Sequence, residues 1–133
     1  MKKDLVSIVA ANQTALNAVL DRLNKRIHKQ RDAAFQASGM PELNARHQKC
    51  ERDLETRHEE EHRAWMDDES ETTECPSERH RKELHDLWDS LWPERDRVQT
   101  HHESLLKPIY RRHNLAGARA RIKAARDLVE ALA

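Results

Sequence analysis

LVSIVAANQTALNAVLDRLNKRI, residues 5–27, is the stretch whose reading decides the fold. Leu5, Ile8, Val9, Asn12, Leu16, Val19, Leu20, Leu23 and Ile27 recur at spacings of three and four, the period of an α-helix that buries one face. Nothing else in the chain is so apolar. The remaining residues therefore read as packing partners for this helix, and the expected fold class is all-α, a helical bundle of coiled-coil type. Ile8 beside Val9 and Val19 beside Leu20 widen the face beyond a two-position seam, which suits a bundle. Asn12 lies inside the stripe, where a buried amide can fix register.

Working outward, Ser38-Gly39-Met40-Pro41 ends this helix: glycine suits the left-handed residue after a helix, and proline suits a first turn. The spacing predicts helix 1 over about 3–38 and helix 2 over about 41–68. The short connection predicts a hairpin in which helix 2 returns against helix 1. Helix 2 carries only a weak stripe of Leu43, His47, Cys50, Leu54, His58 and Trp65, and 67–76 reads as an acidic loop.

Pro76 opens helix 3, expected over 77–113. Its face of His80, Leu84, Leu87, Trp88, Leu91, Val98, His102, Leu105, Leu106 and Ile109 keeps its phase through Pro93 and Pro108, as a kinked helix would. Asn114 can cap helix 4, over 115–132, where Leu115, Ala118, Ile122, Ala125, Val129 and Leu132 form a clean heptad. No internal repeat is read. The 133 residues amount to one domain. Helix 1 offers more apolar face than helix 2 can cover, and the C-terminal heptad needs a partner, so a homodimer is expected, although a monomeric bundle closed by helix 3 would satisfy both.

Leu, Ile, Val and Phe make up about 18 % of the chain, under the ~20 % at which disorder threatens. The charges nevertheless balance, 24 against 24, and with two glycines and four prolines the chain favours salt-bridged helices. The balance is uneven along the sequence. Residues 51–74 hold eleven carboxylates and three basic groups, whereas 107–126 hold seven Lys or Arg and no carboxylate. Either these segments neutralise each other or one of them faces a partner.

Cys50 and Cys75 fit no metal or disulfide spacing and read as reduced thiols of a cytoplasmic protein. Asp4 and Asn12 interrupt what would otherwise resemble a signal peptide, and no run approaches the length of a membrane span.

Few motifs carry chemistry. His58-Glu59-Glu60-Glu61-His62 matches H-E-x-x-H, which makes His58 and His62 candidate metal ligands, but charged flanks argue against a protease cleft. His47, His58, His80, His102 and His113 fall on the apolar stripes, where protonating several at once would weaken packing. Trp65 and Trp92 lie at stripe margins and are candidate partner anchors, whereas Trp88 is in phase with the core.

Arg112, Arg119 and Arg126 fall seven apart on one flank and are candidate partner or nucleic-acid contacts. No DNA- or RNA-binding fold signature accompanies them. No nucleophile elbow, phosphate loop or cofactor fingerprint is present. The expected function is a non-enzymatic protein-interaction module such as an adaptor, assembly factor or inhibitor, with nucleic-acid association through the basic C-terminal helix as the alternative.

Overall fold

The structure, a computed structural model, describes residues 4–68 and 74–133. It is all-α: α1 spans Leu5–Ala37, α2 Met40–Asp67 and α3 Ser77–Leu132. Part of the expected acidic loop, 69–73, lies outside the described residues.

Asp4 starts α1, its carboxylate accepting the Val6 N–H at 3.1 Å and so satisfying one of the first-turn donors. Gly39 ends it with φ +88°, the left-handed conformation the sequence predicts, and Pro41 follows in the first turn of α2. The Ser38 hydroxyl accepts the Met40 N–H at 3.1 Å, which ties the turn together.

Two expectations are corrected. There is no separate fourth helix, because α3 runs unbroken for 56 residues through Pro93, Pro108 and Asn114. The proline cost is met by packing: Ile109 and Gly117 are buried and His113 and Ala116 half-buried, so a break at Asn114 would throw this face out of phase. The second correction concerns the hairpin, whose partner helix is α3. Arg46 pairs with Glu94 and Arg57 with Glu83, advancing eleven residues on α2 while retreating eleven on α3.

The chain divides into two compact units. The first joins residues up to Phe35 to Glu103–Ala133; the second is Gln36–His102. In the first unit α1 runs antiparallel to the C-terminal part of α3. Ile27, Ala34 and Ile109 form its buried core, with Leu105 and Leu106 packed against them. Asn12 donates to the Ala124 carbonyl at 2.9 Å, so the amide inside the stripe does bond across to a neighbouring helix. The Arg31 guanidinium lies 5.8 Å from the Tyr110 ring centre, a cation–π contact.

The face of α3 covered by α1 is His113, Ala116, Gly117, Ala120, Ala124 and Leu128, not the expected heptad. Small residues let α1 bring its larger Leu16, Val19, Leu20 and Leu23 close. Leu115, Ile122, Val129 and Leu132 are left exposed as a consequence.

Candidate functional site

In the second unit, α2 and α3 meet along a seam that is apolar at Leu43 and Leu54 and charged at His47 between them and at His58 beyond them. The pattern comes from a repeat missed in the sequence reading. ELNARH at 42–47 recurs as DLETRH at 53–58, eleven residues or three helical turns later, and Glu94 and Glu83 on α3 keep the same spacing. Comparing α2 with itself at an offset of eleven would have found it.

The first layer holds His47, 3 % exposed. Arg46 bonds Glu94, while the His47 Nε2 lies 3.6 Å from a Glu94 oxygen. That separation is within ion-pair range but too long for a hydrogen bond, so among the described residues this buried nitrogen has no hydrogen-bond partner. Arg95 approaches the His47 Nδ1 at 3.5 Å and donates to Asn44 at 3.2 Å, which leaves the imidazole proton on the Glu94 side.

The second layer has local two-fold character. Arg57-His58-x-x-Glu61 on α2 faces Arg79-His80-x-x-Glu83 on α3. His58 bonds Glu83 at 3.1 Å and His80 bonds Glu61 at 2.8 Å, while the two imidazoles stack with centres 3.8 Å apart and planes 11° from parallel. Ionised carboxylates can only accept, so each Nε2 carries its proton. Arg57 reaches Glu83 at 3.1 Å and Arg79 reaches Glu61 at 2.6 Å, closing the exchange.

These contacts hold the carboxyls below their ordinary value near 4.5: Glu61 through the His80 hydrogen bond and then Arg79, Glu83 through His58 and then Arg57, in each case against partial burial. For Glu94, burial acts upward and is outweighed by Arg46 and His47. Groups whose acidity is raised by folding stabilise the folded state above their unfolded pKa and lose that contribution as pH falls through the folded one. The second unit is therefore expected to soften as pH drops below about 4.5. Urea titrations from pH 6 to pH 3, monitored by tryptophan fluorescence, should show the midpoint falling; a chain carrying Glu61→Gln with Glu83→Gln should fall less steeply.

Of the candidate metal ligands, His58 has its Nε2 committed to Glu83, and the His62 ring lies 5.7 Å from Trp65. Among the described residues no group of three or more His, Cys, Asp or Glu is placed to hold a metal ion. The histidines sit as the sequence places them, His47 buried and His58, His80, His102 and His113 half-buried.

The candidate anchors divide. Trp65 is half-buried, while Trp92 is 59 % exposed. Trp88, expected in the core, is 53 % exposed, because the seam runs through Leu84, Leu87 and Leu91 and leaves Trp88 to the side, where its ring nitrogen donates to Glu51 at 3.2 Å. One helical turn apart, Trp88 and Trp92 share a face of α3.

Charge divides with the units. The segments of the first hold fourteen Lys or Arg and six Asp or Glu; those of the second hold ten and eighteen, so the zero total is +8 and −8. Arg112, Arg119 and Arg126 belong to the first unit, and among the described residues no carboxylate pairs with them. Among the described residues no helix is long and apolar enough to cross a membrane. No protein family, curated protein or solved structure matches the chain.

Proposed function

We propose that this chain is a non-enzymatic protein-interaction module, an adaptor, assembly factor or inhibitor that engages a protein partner through its second unit. The observation that carries this reading is the pair Trp88 and Trp92, both more than half exposed on a face of α3. Tryptophans in that position serve as rigid anchors, and truncating such an anchor typically costs about 2 kcal/mol or more of binding. The acidic 51–67 part of α2 supplies selectivity and steering for a basic partner. Two exposed free cysteines accord with a reducing, cytoplasmic setting.

The test is affinity purification of the tagged chain from its own cell, with and without nuclease, beside the Trp88→Ala/Trp92→Ala chain. A stoichiometric protein that survives nuclease and is lost with the double variant is the expected result. Recovery of nucleic acid alone would favour the alternative, which is supported by the row Arg112, Arg119 and Arg126, unpaired among the described residues.

A further inference from the structure

The face of α3 turned away from α1 has a register of its own. Leu115, Ile122 and Val129 fall seven apart and are 51, 54 and 68 % exposed; Leu132 is 46 % exposed, and Ala118 and Ala125 alternate with them. At 1.5 Å per residue the stripe is about 26 Å long, close to five turns of a facing helix. Large residues at one seam position and alanine at the other form shallow holes that accept side chains from a helix approaching closely.

Arginines border the stripe on both sides. Arg119 and Arg126 directly follow the two alanines, Arg112 continues their row, and Arg121 lies on the opposite flank. Among the described residues none of the four pairs with a carboxylate, whereas Lys123, off the seam, bonds Asp127 at 2.6 Å. In a paired helix these flanking positions choose the partner by charge. A second copy seated stripe to stripe would oppose arginine with arginine. A lipid surface calls for a broader apolar face than this two-position seam.

We propose that the stripe from Leu115 to Leu132 seats an amphipathic α-helix of a protein partner, with aliphatic residues along its seam and Glu or Asp on its flanks. This rests on the interaction-module reading but uses the other unit, so the two surfaces can fail separately.

The experiment measures binding of the full chain, at about 0.15 M salt, to two synthetic three-heptad peptides with the same aliphatic seam, one flanked by Glu and its twin flanked by Lys. The Glu peptide should bind and the Lys twin should not. Ile122→Gln with Val129→Gln should weaken binding by about tenfold or more while leaving helicity unchanged, since both side chains are solvent-facing. Reversing Arg112, Arg119 and Arg126 to Glu should transfer the preference to the Lys twin.

Equal binding of both peptides, binding of neither, or indifference to the glutamine pair would overturn the proposal. So would a native dimer that the glutamine pair dissociates, or displacement of the Glu peptide by anionic vesicles or duplex DNA. The Trp88→Ala/Trp92→Ala chain should bind the Glu peptide normally. A failed peptide leaves the tryptophan surface standing, and a failed tryptophan surface leaves the stripe.

Discussion

Replacing Leu43 with alanine should destabilise the second unit by about 2–5 kcal/mol, the range for deleting a large aliphatic side chain from a site that cannot fully collapse. Leu43 is 0 % exposed, and α2 has just Leu43, His47 and Leu54 as buried residues. With a core so thin, the loss is large beside the roughly 5–15 kcal/mol that stabilises an ordinary domain. The three tryptophans, Trp65, Trp88 and Trp92, all lie in this unit, so their fluorescence reports its unfolding. The tryptophan-detected melt of Leu43→Ala should fall by on the order of ten degrees. A shift under about two degrees would mean that the charged layers, not this side chain, hold the hairpin.

Ile27→Ala should act on the other unit with similar force, about 2–5 kcal/mol. Ile27 is 8 % exposed in the cluster with Ala34 and Ile109. No tryptophan lies in this unit, so the loss should show in far-ultraviolet circular dichroism and move the tryptophan melt less. Two transitions in one chain would follow, as expected where compact units unfold separately. Coincident shifts in both signals would show instead that α3, common to both units, makes them one cooperative block.

Much of the secondary structure was legible because it is written in local chemistry. The stripe of α1, the left-handed Gly39 and the prolines at 41 and 76 act within a few residues of themselves, and both ends of α1 and α2 and the start of α3 fall within about two residues of where the sequence puts them. Pairing was less legible. A short turn after Gly39 is compatible with several partners for α2, and its pairing with α3 is marked by a charged ladder, Arg46 and His47 to Glu94 and Arg57 and His58 to Glu83, which hydrophobic periodicity does not see.

In the C-terminal third, α3 carries two competing faces. The sequence reading chose the larger residues, Leu115, Ile122 and Val129, whereas α1 packs on the smaller ones around Gly117, Ala120 and Ala124. Close approach outweighed side-chain size there. The same preference for bulk misplaced Trp88, while Trp92 beside Pro93 is exposed as its place at the stripe margin indicated.

The split of charge between the units governs how the chain behaves in solution. A sequence isoelectric point near 7.1 usually marks minimum solubility, where copies no longer repel one another. Here that neutral point joins a strongly cationic unit to a strongly anionic one, so copies at neutral pH are expected to attract, the cationic unit of one to the anionic unit of another, instead of lacking a field. Dissolved ions screen that attraction over about 10 Å at 0.1 M. Such a chain is salted in: added sodium chloride disperses it near neutrality, and dilution into pure water gathers it.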